Sequence, residues 1–500
     1  MISVPNHHRL LNGNNLFWIA FVLLFFQSCD FFTKAQDAPS VNRQERNNDE
    51  LEDIQSTLVY DPVKNEWVEV SSQTPTEQLD TVRWRILTEA QFAPILSQDL
   101  PPIPINPIGA GGGASTDQFG SQIKNSYQIS LMMPFLSSRF DPISTDFGKV
   151  PSWSIHYYSG VKLALEQLQL ENISLKLKVL DSEGSQSTVQ QLLDNDPIVK
   201  ASDLIIGPYR RDNIKLVADF AKNNQITMIS PYSASSNLTN ENPNFIQVSP
   251  SLKSHCEAIM KFVRSRFSPS KISIIHQDND QKRNATGYFQ EANKIYSGST
   301  LAPDLSTFVI PDDRLPTSGD IDFEALLGGK DSVAIIIPAW TGRDENFVYT
   351  LMTQIDLNKD QYQYVEVYGL PQWEDYSTID LDYFEKLNVT ISSNAFIDKG
   401  DEEIKEFRRD YYDRFGSLAT LEAYLGYDIM LFAGRMLNKY GNKFQYHIEK
   451  EQPQYLHTRF EFERSVSTPT ISAENLPIQL FENKYVNMLQ FRNYRFQKLN

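Results

Sequence analysis

From residue 125 to about 445 the chain alternates short apolar runs with segments whose apolar residues recur every three or four positions, and this alternation restricts the fold more than any other feature. The strand-like runs are residues 128–133, 174–180, 203–206, 227–229, 271–275, 307–310, 332–337 and 364–368. Several are almost wholly apolar, as strands of a parallel sheet must be when helices cover both faces. Between them Tyr157, Val161, Ala164, Leu165 and Leu168 fall on one face of a helix, as do Ile404, Phe407, Tyr411 and Phe415. Gly416 and Gly441 stand just past helix-like stretches, in the position of a C-terminal stop. Strand, helix, strand repeated in this way predicts a doubly wound α/β fold. With 500 residues, 30 Phe and 23 Tyr, the chain exceeds what one core holds, so two lobes or more are expected.

The stretch before residue 125 has a different character. Arg9 is followed by an apolar run at 16–26 and then by Gln27-Ser28-Cys29. Eleven apolar residues at ~1.5 Å each fall well short of a ~30 Å hydrocarbon core, so residues 1–28 read as an export signal. The end of this signal resembles the lipobox of bacterial lipoproteins, which implies that Cys29 is diacylated and becomes the new N-terminus; Phe26 stands where that motif more often has Leu. Residues 30–53 are polar and charged with no apolar period, the composition of a solvated tether. Two β-prone runs, 57–60 and 67–70, predict a small hairpin. Pro94, Pro101, Pro102, Pro104 and Pro107, followed by Gly109 and Gly111-Gly112-Gly113, form a stiff segment that ends in a flexible joint. Residues 29–124 are therefore read as a tether carrying a hairpin and a Pro/Gly linker, with the globular part beginning near Asn125.

Charge and motif content exclude several classes of function. The net charge of -17, from 63 acidic against 46 basic side chains, repels a phosphate backbone, so no nucleic acid is expected as a partner. Cys256 shares a helical face with Leu252, Ile259, Val263 and Phe267 and reads as a buried thiol, and with Cys29 lipidated no disulfide is left within the chain. No Gly-x-Ser-x-Gly elbow occurs, and Gly328-Gly329-Lys330-Asp331 lacks the upstream glycine and the hydroxyl residue of a phosphate loop. Past the signal, His156, His255, His276, His447 and His457 show no metal-ligand spacing, and His255 reads as a helix-surface residue. No catalytic residue, metal or cofactor is expected, and the chain reads as non-enzymatic.

Ser159-Gly160-Val161-Lys162-Leu163-Ala164-Leu165-Glu166, followed by a strand ending at Asp181, is similar to the first helix and second strand of the branched-chain amino-acid binding proteins of the type I periplasmic binding protein superfamily. Asp203-Leu204-Ile205-Ile206-Gly207-Pro208 and Met228-Ile229-Ser230-Pro231 resemble their third and fourth strands. The register continues through Leu238-Thr239-Asn240-Glu241-Asn242-Pro243 and Val248-Ser249-Pro250-Ser251, and Arg414-Phe415-Gly416 and Gly426-Tyr427-Asp428 match paired helices near the family's C-terminus. The resemblance implies two parallel-sheet lobes joined by crossing strands, with a cleft that closes on a ligand. Residues 125–248 with about 398–450 would form the first lobe, and 249–397 with about 451–500 the second.

The resemblance also locates a site, because open α/β sheets bind ligands at the carboxyl ends of their strands. Tyr209, Arg210 and Arg211 follow Gly207-Pro208 where the family has small or hydroxyl residues. In Tyr232-Ser233-Ala234-Ser235-Ser236, Ala234 occupies the place of the ligand-binding Thr, which leaves Ser233 or Ser235 to substitute and argues against a free amino acid. Trp340 and Trp373 lie in later strand-end loops, where they either offer flat faces to a sugar or peptide or pack between the lobes. The expected ligand-contacting residues are thus Tyr209, Arg210, Tyr232, Ser233, Ser235, Trp340 and Trp373.

The expected protein is lipid-anchored in the bacterial cell envelope and faces the periplasm, the outer membrane being preferred over the inner. It would bind a small solute or a peptidoglycan fragment in the cleft and report to a transporter. The alternative is a scaffold resembling the lipid-anchored activators of penicillin-binding proteins, which would act on a cell-wall synthase by protein contact.

Overall fold

The computed structural model describes residues 57–61, 66–70, 119–140, 148–235, 237–299, 301–361, 363–466 and 477–499. The signal, Cys29 and the Pro/Gly linker lie outside the described residues. Within the tether, β1 (Thr57–Asp61) and β2 (Glu66–Val70) pair antiparallel, with Thr57 opposite Val70 and Asp61 opposite Glu66.

Among the described residues, the globular part holds two seven-stranded sheets, one per lobe. The first is built from β3 (Tyr127–Met133), β4 (Leu175–Asp181), β5 (Leu204–Ile206), β6 (Thr227–Ser230) and β7 (Phe245–Gln247), all parallel. The second uses β8 (Ile272–Gln277), β9 (Ser306–Ile310), β10 (Ser332–Ile336), β11 (Tyr364–Gly369) and β12 (Thr390–Ser393), again parallel. Four late strands complete them: β13 (Phe462–Val466) and β14 (Ile478–Asn483) extend the first sheet, and β15 (Asn487–Arg492) and β16 (Arg495–Lys498) the second. Among the described strands of these two sheets, antiparallel pairing is confined to these additions: β13 with β14, β12 with β15, and β15 with β16. Residues 451–500 are thus shared between the lobes instead of belonging wholly to the second, since β14 runs parallel to β7 with Phe481 opposite Ile246.

The central apolar runs form strands because both their faces are covered. In β3, Ile129, Leu131 and Met133 join one core cluster and Met132 the cluster on the opposite face, where Ile205, Met228 and Phe245 also lie. The second sheet divides in the same way: Val333 and Ile335 face one cluster, Ala334 and Ile336 the other. The strands that escaped the sequence pattern are short or polar. β7 has three residues, and β12 buries Thr390, Ser392 and Ser393 where an apolar run would have been expected.

Helices α1 (Lys149–Leu170), α2 (Gln186–Asn195) and α3 (Arg211–Asn224) flank the first sheet, and α4 (Leu252–Arg264), α5 (Asp280–Tyr296) and α6 (Glu345–Asn358) the second. The chain then returns to the first lobe through α7 (Glu402–Phe415) and α8 (Leu421–Tyr440). Gly416 ends α7 in the left-handed region at φ 68°, a conformation that disfavours a Cβ. Helices α1 and α8 approach backbone to backbone: a Cβ on Gly160 would overlap the Ala423 carbonyl, and one on Gly426 the Tyr157 carbonyl. Tyr157, Val161 and Leu168 then pack with Ile429, Met430 and Ala433 in one cluster.

The crossings between lobes are pinned by polar groups. Residues 248–251 lead from β7 into α4, and residues 484–486 link β14 to β15. Glu482 bridges these two passages, accepting from the Ser251 backbone N–H at 2.7 Å, the Ser254 hydroxyl at 2.7 Å and the Lys484 ammonium at 2.8 Å. Burial opposes its ionisation, but Lys484 and the hydrogen bonds prevail and hold the carboxyl below its ordinary range. Residues 394–401 form the remaining passage, and there the Phe396 N–H donates to the His457 carbonyl. Asp428 of α8, fully buried, accepts from both the backbone N–H and the ring of His457. Gly426-Tyr427-Asp428 thus supplies one close helix contact and one anchor for a crossing segment.

His255 is not on a helix surface: it is buried beside Glu482, and its Nδ1 has no partner. The amphipathic pattern of α4 places it next to the core positions Cys256 and Ile259, and packing against the crossing strand closes over it. Burial also pushes the Cys256 thiol well up, which leaves it inert.

Two outcomes are expected. Replacing Gly426 with Ala should destabilise the fold by at least the ~1–3 kcal/mol of an overpacked core, measured by urea unfolding, because the opposing atoms are backbone. Burial pushes the His255 imidazole from 6.5 down to about 4, chiefly by desolvation and against the attraction of Glu482. The unfolded chain therefore takes up a proton that the folded chain refuses, and stability present above pH 6.5 is lost as the pH falls toward 4. The loss amounts to about 3 kcal/mol. A His255→Leu variant should show a flatter stability profile across that window, and equal slopes would refute the assignment.

Candidate ligand-binding site

The carboxyl ends of β3, β4, β5 and β6 open onto one cavity of about 790 Å³ in the first lobe. Its wall after β3 is shaped by Asp181, the last residue of β4. That carboxylate accepts from the backbone N–H groups of Phe135 at 2.9 Å, Leu136 at 3.2 Å and Ser137 at 2.7 Å. Burial raises its proton affinity, but the N–H donors of Ser137 and Glu183 outweigh burial and hold the carboxyl below its ordinary value. Glu183 ties down the next residue, accepting from the Ser138 N–H at 2.8 Å and the Ser138 hydroxyl at 2.7 Å. Residues 135–138 are thereby held in place, with Arg139 at the cavity.

The loop after β5 enters through Gly207, whose φ of 90° and contact with the Met132 carbonyl exclude a side chain. It delivers Tyr209, Arg210 and Arg211, then Asp212 and Asn213 in the first turn of α3. The Arg210 guanidinium donates to the Gly184 carbonyl at 2.8 Å, joining this loop to the turn after β4. The loop after β6 supplies Tyr232 and Ser233. Tyr209 lies 4.8 Å from Trp153 and 5.7 Å from Tyr232 between ring centroids, and Tyr232 lies 5.0 Å from Trp153, so the three rings form one aromatic cluster, of which Tyr209 and Tyr232 line the cavity. The Tyr232 hydroxyl has no partner, and burial pushes its proton affinity well up, so it stays a neutral donor.

Of the residues expected from the sequence, the structure brings Tyr209, Arg210, Tyr232 and Ser233 around this cavity. Ser235 does not line it; its backbone N–H donates to the Ser233 hydroxyl at 3.3 Å and so supports that residue. Trp373 is not a ligand contact. Its side chain is fully buried in the second lobe's core and its indole N–H donates to the Ala339 carbonyl at 2.9 Å, because the loop after β11 folds back over Gly369 and seats the ring against the sheet. Trp340 belongs to the second lobe as well, partly buried, with the Lys282 ammonium 5.7 Å from its ring and its indole N–H unpartnered. The Trp340 loop is held by Asp344, which accepts from the Trp340 and Thr341 N–H groups at 2.9 and 2.8 Å and pairs with buried Lys282.

Arg139, Glu183 and Asn213 were not singled out from the sequence. Arg139 sits in a polar loop without pattern, and its approach to Arg210 depends on strand order. The run Asp181-Ser182-Glu183-Gly184-Ser185, a polar turn between a strand and a helix, was the one available signal. Among the described residues no cluster of His, Cys, Asp or Glu is placed to hold a metal. None of their helices is long and apolar enough to cross a membrane.

A family model described as the receptor family ligand-binding region matches residues 157–445. Among solved structures, a candidate branched-chain amino acid ABC transporter from Rhodospirillum rubrum superposes with a TM-score of 0.53 at 14% identity, covering 75% of this chain and 100% of that one. A branched-chain amino acid ABC transporter periplasmic ligand-binding protein from Burkholderia xenovorans LB400 gives 0.50 at 11% identity, covering 76% and 95%. At such identities the likeness carries the fold, that of the type I periplasmic binding proteins. No curated protein matches the chain in sequence.

Replacing Asp181 with Asn removes one of the two acceptor oxygens that hold the loop after β3. A loss of about 1–3 kcal/mol at pH 7 is expected. The wild-type advantage should fade as the pH falls below 3.8, the carboxyl's ordinary value, because its proton affinity is lowered only in the folded chain. Chemical unfolding of both proteins at pH 7 and pH 3 checks this, and an unchanged difference would sink it.

Proposed function

The chain belongs to the receptor family ligand-binding region, with the two-lobed fold of type I periplasmic binding proteins, and on that premise we propose that it is a lipid-anchored, non-catalytic receptor. It takes a small solute or cell-wall fragment into the cleft between its lobes. The observation that carries this reading is the 790 Å³ cavity on the first lobe, at the carboxyl ends of β3 to β6, where aromatic faces stand beside convergent polar groups and would form the first-lobe wall of such a cleft. The two lobes linked by crossing segments supply the means of closure, and a closed form would be read by a transporter or a wall-associated partner. The apolar run at 16–26 with Cys29 supports export and anchoring at a bacterial membrane with the globular part in the periplasm, and the outer membrane is the preferred site.

The departures at the cavity favour a ligand other than a free branched-chain amino acid. Where such binders have small or hydroxyl residues, this chain places Tyr209 and Arg210, and Ala234 cannot donate a hydrogen bond through its side chain. The Tyr209 and Tyr232 rings, backed by Trp153, suit a ligand with a flat face, such as a sugar or a peptide ring.

The test is a thermal-shift screen of the full chain in detergent against amino acids, peptides, sugars and muropeptides. A true cleft ligand at a hundred times its dissociation constant adds about 2.7 kcal/mol. The shift should vanish in a Tyr209→Ala, Arg210→Gln variant that keeps its own unfolding midpoint. A flat screen on a well-folded protein would overturn the receptor reading and transfer the case to a scaffold that acts by protein contact.

A further inference from the structure

We propose that the first-lobe cavity recognises its ligand through an anionic group, a carboxylate or a phosphate, seated between the N-termini of α2 and α3 and flanked by the aromatic cluster. The inference rests on the cavity being a ligand site and adds the charge that the ligand must carry there.

Both helices open at the cavity, and neither is capped by a side chain of its N-cap residue, Ser185 for α2 and Arg210 for α3. The Ser185 hydroxyl is engaged with that of Ser187 at 2.8 Å instead. An α-helix begins with N–H groups that have no partner within it and with the positive end of its dipole, so two such ends at one cavity favour a negative charge. A second observation points to a missing acceptor. Asn213, only 1% exposed, lines the cavity, and its Nδ2 has no hydrogen-bond partner. A buried amide donor left unmatched is destabilising, a cost that an acceptor oxygen of a bound ligand removes.

The charges agree. Arg139, Arg210 and Arg211 line the cavity, and among the described residues none of the three is in a salt bridge. Of the two carboxylates there, Glu183 is already occupied by Ser137 and Ser138, and Asp212 sits in the first turn of α3. A chain with a net charge of -17 therefore presents a local concentration of guanidinium at this opening. Guanidinium forks match the paired oxygens of carboxylate and phosphate groups, and the rings of Tyr209 and Tyr232 beside them fit an organic body.

Isothermal titration of the full chain in detergent with matched probes tests the proposal. Glucuronate and benzoate serve for carboxylates, glucose 6-phosphate and phenyl phosphate for phosphates, and glucose and benzamide as neutral counterparts. One acidic set should bind at least tenfold more tightly than its neutral partners and weaken with added salt, and which set does so distinguishes carboxylate from phosphate. That affinity should fall tenfold or more in an Arg139→Gln, Arg211→Gln variant, whose substituted side chains are exposed, and fall again in Asn213→Ala. Neutral probes binding as tightly as acidic ones would overturn the anionic assignment and leave the cavity as a ligand site. Acidic binding indifferent to these substitutions would overturn it by placing the anion elsewhere. If no probe binds while the broad screen yields a neutral ligand, the anionic assignment alone fails; if that screen is also flat, both readings fail.

Discussion

The architecture depends on the contact between α1 and α8. These helices lie far apart in sequence, and their backbones meet because Gly160 and Gly426 carry no side chain at the crossing. Dispersion attraction and the exclusion of water both fall off steeply with separation, so an approach this close lets Tyr157, Val161 and Leu168 interleave with Ile429, Met430 and Ala433. The first lobe is closed by this contact. Without it, one face of the first sheet would be open to water and the returning chain would have nowhere to bury the α8 face.

The return has a second consequence, because a chain that leaves one lobe and comes back must cross the gap between them. The crossings here are held by ion-pair and hydrogen-bond clusters: Glu482 with Lys484, Ser251 and Ser254, and Asp428 with His457. Buried charges are tolerable when every partner is in place and costly when one is lost, so such clusters define few arrangements sharply. The lobes are thereby joined by well-specified passages while the strand ends of the first sheet are left open to form the cavity. There residues 135–138 are held by carboxylates of their own, Asp181 and Glu183, so that Arg139 meets the turn bearing Arg210.

Periodicity was a faithful guide wherever burial on both faces demanded apolar residues. The eight expected strands all occur, and Gly416 and Gly441 end their helices as anticipated. It failed where polar residues were buried. β12 carries Thr390, Ser392 and Ser393, and His255 lies inside a helix interface, because hydrogen bonds or a neutral protonation state can stand in for apolarity. Trp373 shows the converse error: an aromatic in a strand-end loop was expected at the cleft, yet the loop turns back and buries it against Gly369.

The local physics of the sequence determined the fold class, the two-lobed division and the residue types in the loops after β5 and β6, since these follow from apolar spacing, glycine positions and chain length. Which loops would face one another was settled only by the tertiary structure. Strand order brings Arg139, Glu183 and Asn213 beside Tyr209 and Tyr232, divides the last strands between two sheets and draws Trp373 into the core. Each of these outcomes is set by long-range pairing, and the energy of a pairing belongs to both partners at once, so neither stretch of sequence carries it alone.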